Sequence, residues 1–457
     1  MTERPDLPAT SPIQRIPPEL LGKIFADTLP QESIPISLNK SPLVLIQVCR
    51  HWQRTAQATP ELWLYLHMGS HFALCPVRIF RKFLENSGVL PLKVILPKRS
   101  SKSKEVINLL LDNLHRISDL QGYLTPWFTL SLYERRESFP IHAPLLKSVE
   151  LGGWDTEKLP VYSKDALLAL RECIVAHRLE KIHLKSTRFQ LWVISFDPAR
   201  VTEIHGLWIL DISQLQSLEF LQALVNLELL EVYIHTIPDL SQTVTNVPDR
   251  IPIPSLRRLQ IGVYPGFDGS LFLKPFEVPS VQHLTLTTLQ GSASMEDIFD
   301  PLFGGKTIPR LKYLDIEAYG ISGPSFSQWL SMFSELKTLR IAKVDADGFP
   351  DEWLESLNLL PQVLEGAPTI PPGYVQSRPT GSCPLLSSLI FHRCTLPWEY
   401  VMGVVRSRMP RCPDDLKDKF LRKVVIEKCN GYEVDFHLDL ERERELSGGF
   451  LEIELIE

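Results

Sequence analysis

The chain has 457 residues, 44% of them hydrophobic and 22% charged, with a formal net charge of -6. The length exceeds one ordinary core, the hydrophobic content excludes a disordered chain, and the acidic balance argues against nucleic acid or an anionic membrane as partner. Seven cysteines without a CxxC pair, a start (MTERPDLPATSP) without an apolar signal core, and no apolar run near a membrane span point to reduced thiols in a cytoplasmic or nuclear protein.

Residues 1–11 are polar and rich in Pro and Thr, and read as a disordered tail. Pro17 and Pro18 then suit the first turn of a helix, where a missing N–H costs nothing. Leu20, Leu21, Ile24 and Phe25 follow on one stripe. Pro30, Pro35 and Pro42 mark a loop, and a second helical stretch is expected over 43–56. A capped turn, Thr59-Pro60-Glu61-Leu62-Trp63, closes a helical module spanning 12–66. A core of that size is marginal by itself, so the module should pack on a neighbour or a partner.

The run Ile16-Pro17-Pro18-Glu19-Leu20-Leu21-Gly22-Lys23-Ile24-Phe25, followed by Leu45-Ile46-Gln47-Val48-Cys49-Arg50-His51-Trp52, resembles an F-box. The Thr-Pro-Glu-Leu-Trp tail is similar to the version common in basidiomycete fungi. Two departures stand out: Ile16 takes the place of the usual Leu, and the loop between the helices is longer than in compact family members. The resemblance implies docking to Skp1 and, through it, to a cullin-based ubiquitin ligase. Carried over by position, Pro17, Leu20, Ile24, Leu45, Val48 and Trp52 would shape or support the Skp1-binding surface.

From about residue 90 to 457, short units of the form Leu-x-x-Leu-x-Leu recur. Leu146–Leu151, Leu179–Leu184, Leu227–Val232, Leu256–Ile261, Val281–Leu286, Leu311–Ile316, Leu336–Ile341, Leu386–Phe391 and Leu421–Ile426 are the clearest, with a less regular unit near Val201–Leu207. Up to Leu336 the spacing is roughly 22 to 33 residues, the range of leucine-rich repeats. Helical patterns are expected between them at 105–117, 164–177, 213–223, 294–303 and 325–333. The expected architecture is an α+β multi-unit protein, a helical module followed by an irregular β/α leucine-rich-repeat-like solenoid. A Pro-rich insertion is expected at about 361–384, and a final edge strand at 450–455, where glutamates discourage edge pairing.

Catalytic signatures are missing from the sequence: no phosphate loop, GxGxxG, HExxH or GxSxG occurs. Cys383, His392, Cys394 and Cys412 match no regular zinc spacing, and Glu441, Glu443 and Glu445 read as solvated surface. Neither a metal nor a cofactor is expected, and no enzyme activity.

In each repeat the three Leu-type positions should enter a shared core, so the residues between them face the inner side of the curve. That alternation selects Lys181, His183, Leu229, Glu231, Tyr233, Arg258, Gln260, His283, Tyr313, Asp315 and Arg340 as a client-binding face, with Tyr and Arg as interface anchors. The functional expectation is a substrate adaptor of a Skp1–cullin–F-box ligase that holds a protein client. The alternative is an F-box and repeat scaffold acting outside ubiquitination.

Overall fold

The structure, a computed structural model, describes residues 12–29, 40–67, 76–96, 103–123, 126–152, 173–185, 194–209, 219–234, 250–264, 273–288, 296–304, 310–317, 324–344, 354, 357–358, 382–395, 398–408, 421–430, 435–446 and 451–456. They belong to two compact units, 1–201 and 202–457.

The first unit opens on α1 (Pro18–Asp27), with Pro at its first position as the sequence suggests. Leu21 and Phe25 are buried. The helical stretch expected over 43–56 is two helices, α2 (Leu45–Val48) and α3 (Arg50–Gln57). The break is Cys49, extended at φ -161° and ψ 170°, whose Sγ accepts the Trp52 N–H at 3.5 Å as a helix cap. Periodicity alone does not reveal a cap made by a thiol. Trp52 packs on Phe25 at 4.8 Å between ring centroids. Trp63, on the turn that follows, is fully buried; its indole N–H donates to Ala56 O at 2.8 Å, and its ring meets Phe83 edge-on at 5.0 Å. Phe83 lies on α4 (Pro76–Asn86). The small module thus gains the neighbouring core that its size requires.

Parallel strands begin directly after that turn. In the first unit β1 (Tyr65–His67), β2 (Leu92–Leu96), β3 (Ile117–Tyr123), β5 (Ser148–Gly152) and β7 (Lys181–Lys185) pair in that order, every pair parallel. A second, three-stranded sheet holds β4 (Ile141–His142), β6 (Ile174–Val175) and β8 (Ile194–Ser195). Helices α5 (Lys104–Asp112) and α6 (Pro126–Glu134) sit in the crossovers.

The second unit continues the pattern. Its main sheet orders β9 (Glu203–Ile209), β10 (Leu229–Ile234), β12 (Arg258–Val263), β14 (His283–Thr288), β15 (Tyr313–Glu317), β16 (Thr338–Ala342), β17 (Ser388–His392), β18 (Lys423–Glu427) and β19 (Glu452–Ile456), again all parallel. The short strands β11 (Ile251–Pro252) and β13 (Phe276–Glu277) pair separately. Its helices are α7 (Glu219–Gln222), α8 (Glu296–Phe303), α9 (Pro324–Met332), α10 (Trp398–Ser407) and α11 (Asp435–Leu446). The fourteen main strands, five in one unit and nine in the other, make this an α/β protein of repeating β/α units, a pattern consistent with leucine-rich repeats. The expected β/α repeats are present, and the α+β label becomes α/β, since the strands are parallel and joined by crossovers, several of which carry helices.

Six of the repeats are built the same way. The apolar residue three positions before the first Leu closes a turn with it: Leu146 N–H donates to Ala143 O, Leu179 to Ala176, Leu227 to Leu224, Leu256 to Ile253, Leu336 to Phe333 and Leu386 to Cys383, at 3.0–3.3 Å. The next N–H then bonds to the neighbouring repeat, as Arg257 does to Glu228 O and Gln282 to Arg257 O. The Leu positions are buried; Leu256, Leu284, Leu314 and Leu339 expose 3% or less. Each such side chain contributes about 1.5–3 kcal/mol by leaving water, so these residues dictate the register.

The ninth position of the later repeats explains two cysteines. Lys343, Arg393 and Lys428 directly follow β16, β17 and β18 with φ of 60°, 52° and 53°, the left-handed region. Their N–H groups are held by His392 O, Glu427 O and Ile456 O. That turn drives Val344, Cys394 and Cys429 into the core. Cys394 Sγ donates to Ile341 O and His392 O, and Cys429 Sγ accepts the Cys394 N–H at 3.4 Å. These thiols serve repeat packing.

Some expectations fall elsewhere. Helices at 105–117, 294–303 and 325–333 appear as α5, α8 and α9 with shifted ends. Most of 213–223 lies outside the described residues; its described end is α7. For 164–177, residues 164–172 also lie outside, and its end is β6 and not helix. Most of the Pro-rich 361–384 and all of 1–11 lie outside as well. Glu443 is not solvated: its side chain is 13% exposed and accepts from Arg406 Nε at 2.8 Å.

Candidate binding surfaces

Two surfaces collect the residues that the sequence singles out. The first is on the helical module. Pro17, Leu20 and Ile24 are spaced three and four residues apart, one face of α1, and all are exposed, Leu20 at 56% and Ile24 at 48%. Val48, at the end of α2, is 54% exposed. A water-facing Leu, Ile and Val on so small a module, next to a filled core, is an apolar surface without an internal use among the described residues. Leu45 differs: it is 5% exposed and belongs to the core. Trp52 is half-buried against Phe25 and supports α1 from behind.

The second surface is the open face of the sheets, where the residues between the buried Leu positions lie. In the first unit it carries Lys181, exposed, and His183, half-buried, on β7. In the second unit the registers place Leu229, Arg258, His283 and Tyr313 in one row and Glu231, Gln260, Thr285, Asp315 and Arg340 in the next. Adjacent strands lie about 4.8 Å apart, so neighbours in a row touch.

Polar contacts on this face run both across strands and between alternate residues of one strand. Arg340 Nη1 donates to both Asp315 oxygens, at 2.8 and 3.0 Å. Lys343 pairs with Glu317. His205 holds Glu231 through Nδ1 at 3.2 Å and Glu203 through Nε2 at 3.5 Å. Tyr233 Oη donates to Glu231 Oε1 at 2.6 Å and accepts from Gln260 Nε2 at 3.5 Å. His392 faces Glu427 at 3.0 Å. These environments move proton affinities. The Glu231 hydrogen bond, more than the neighbouring charges, raises His205 above its ordinary value. Burial outweighs the guanidinium and raises Asp315. At His283 burial comes first, with Arg258 and Lys312 behind it, and the imidazole is pushed down.

An aromatic stack flanks this network. Trp208 lies on Tyr233 with centroids 4.8 Å apart and planes at 22°, and Tyr264 sits 5.9 Å from Trp208. Tyr233 leans across the next strand because residue 262 is glycine. A Cβ there would meet Tyr233 Cδ1 at 2.2 Å. Beyond this glycine, Thr285 and Thr287 form a floor of short side chains. The floor ends at Tyr313, which stacks on His283 at 5.6 Å.

No known protein family matches the chain. No curated protein matches it either.

Strand alternation misses Glu203, His205 and Trp208, which belong to this network. The cause is a bulge in β9: Ile204 opposes Leu230 but Leu207 opposes Val232, so His205 and Gly206 together face Glu231. Gly206 takes φ 69°, a conformation that suits glycine. The one signal available was the irregular spacing Val201-x-x-Ile204-x-x-Leu207, one residue longer than its neighbours.

Proposed function

We propose that this chain is a non-catalytic adaptor that docks to Skp1 of a cullin ubiquitin ligase through its helical module and presents a protein client on its sheet face. The observation that supports docking is the exposed apolar face of α1, with Leu20 and Ile24 in water while Leu21 and Phe25 of the same helix fill the core. The motif that resembles an F-box spans these positions, and the partner it implies supplies an apolar counterpart. Burying the remaining half of two such side chains contributes about 1.5–3 kcal/mol before association costs.

The client side is supported by the aromatic stack and the paired charges on the open face, which combine ring surface with fixed polar direction. On this reading the chain contributes proximity: it holds a client lysine near a charged ubiquitin carrier, and no side chain of its own reacts.

The experiment is a pull-down of the full-length chain with Skp1, beside Leu20→Asp/Ile24→Asp. The parent should bind and the variant should not, with both unfolding at the same temperature. Failure of the folded parent to bind Skp1 would overturn the ligase reading.

A further inference from the structure

Charges on the open face of the second unit are neutralised strand by strand, with one exception. Arg340 has Asp315, Lys343 has Glu317, His205 has Glu203 and Glu231, Lys423 has Glu454, and His392 has Glu427. Arg258 and His283 are both exposed and stand directly opposite each other on β12 and β14. Lys312 enters the same surroundings at the start of β15, where its Nζ donates to the neutral amide Gln282 Oε1 at 3.2 Å. Among the described residues no carboxylate forms an ion pair with any of the three. Arg257 and Lys337, also exposed, lie along the row of turns before the strands, where Glu228 is the neighbour of Arg257.

Arg258 and Lys312 are cations on one face without a carboxylate to pair with among the described residues, and like charges near each other on a sheet repel. The rest of this face avoids that arrangement: Arg340, Lys343 and Lys423 each meet a carboxylate, and carboxylates also lie beside His205 and His392. Burial first, and behind it Arg258 and Lys312, push the His283 imidazole down, so it stands beside the two cations as a neutral hydrogen-bonding ring and not as a third charge. A partner that brings negative charge would relieve this repulsion and gain hydrogen bonds from a guanidinium and an ammonium together.

We propose that Arg258, His283 and Lys312 receive an anionic side chain, carboxylate or phosphoryl, from a segment of a partner protein lying across β12 to β15. This rests on reading the open face as client-binding. The patch is only about 10 Å wide, the span of three strands. Glu231 and Asp315 lie on strands within and beside it, one row away. A nucleic-acid backbone, with regularly spaced phosphates, would meet those carboxylates; a peptide with one or two anionic side chains would not. The Tyr313 ring stacked on His283 and the Trp208–Tyr233 stack two strands away offer apolar contact to the neighbouring residues of such a peptide.

The test is fluorescence anisotropy of the full-length chain with four labelled probes: a short Gly/Ser peptide, the same peptide with one phosphoserine, the same with consecutive glutamates, and a single-stranded oligonucleotide. The anionic peptides should bind, the neutral peptide should not, and added salt should weaken binding. Which of the two binds better tells whether a phosphoryl or a carboxylate is the native group. Arg258→Glu/Lys312→Glu should weaken binding by about tenfold or more, because two charge-assisted contacts are lost. Arg178→Glu, an exposed cation on the turn before β7, should leave it unchanged. Equal binding by parent and double variant, no binding of either anionic peptide, or preference for the oligonucleotide would each overturn the proposal. Skp1 capture measured in parallel reports on the docking module separately, so failure of one reading is distinguishable from failure of the other.

Discussion

Arg408 is fully buried, and its guanidinium ends on three backbone carbonyls: Nε on Leu357 O at 2.8 Å, Nη1 on Cys383 O at 3.1 Å and Nη2 on Ser382 O at 2.7 Å. One side chain therefore joins two points of the chain that lie 25 residues apart in sequence. Arg408→Met keeps the bulk and removes the donors. Cys383 O keeps the Leu386 N–H, so two buried carbonyls, Leu357 O and Ser382 O, lose their donor, at about 1–3 kcal/mol each or roughly 4 kcal/mol in sum. Against this, the variant no longer buries a cation. Burial pulls the Arg408 guanidinium from 12.5 down to about 10, a penalty of about 3 kcal/mol that disappears with the charge. The net loss is about 1 kcal/mol, which for a unit of this size lowers the melting temperature by about 2–4 °C. Circular dichroism reads the melting temperature, and amide exchange at 382–386 should accelerate. Arg408→Lys separates charge from geometry. A compact ammonium keeps the charge but cannot span three carbonyls, so it should rescue little. Full rescue by Lys, or a Met variant that melts within a degree of the parent, would refute the argument.

Three further outcomes follow from the same structure. Leu45→Asp, in contrast to changes at exposed Leu20 and Ile24, should unfold the helical module because Leu45 is 5% exposed; urea denaturation followed by tryptophan emission checks this. Gly262→Ala should displace Tyr233 and break its stack on Trp208, costing about 1–2 kcal/mol, and the near-ultraviolet circular dichroism should change; an unaltered spectrum would contradict the packing. His205 and His283 should titrate in opposite directions by NMR, His205 above its ordinary 6.5 and His283 below it. The raised His205 adds stability that is present below about pH 6.5 and lost as pH rises through its folded value, so Glu231→Gln should lower His205 and remove that contribution.

Much of the fold was legible because burial of leucine is strong and periodic. Leu256, Leu284, Leu314 and Leu339 are where the Leu-x-x-Leu-x-Leu spacing puts them, and the intervening Glu231, Gln260, Asp315 and Arg340 lie on the open face as strand alternation requires. What escaped was information carried by single residues off the period. Cys49 breaks a helix with its thiol, Gly206 makes a bulge by its φ, and Ala143 or Phe333 closes a turn although the two share only their position before a Leu. Pairing was likewise invisible: that Arg340 has a carboxylate while Arg258 has none depends on which strands adjoin, and spacing along one strand says nothing of its neighbour.

The carbonyls that Arg408 grips also say something about how this protein can change. Strands β16 and β17 are neighbours in space, yet 50 residues separate Thr338 from Ser388, about twice the separation of Tyr313 and Thr338. Because the guanidinium fixes Leu357 on one side and Ser382 on the other, the repeat closes on itself whatever the number of residues between those points. Loop-closure entropy rises only slowly with length, so two points held together by one buried side chain can lie far apart in sequence while the strands on either side stay in register.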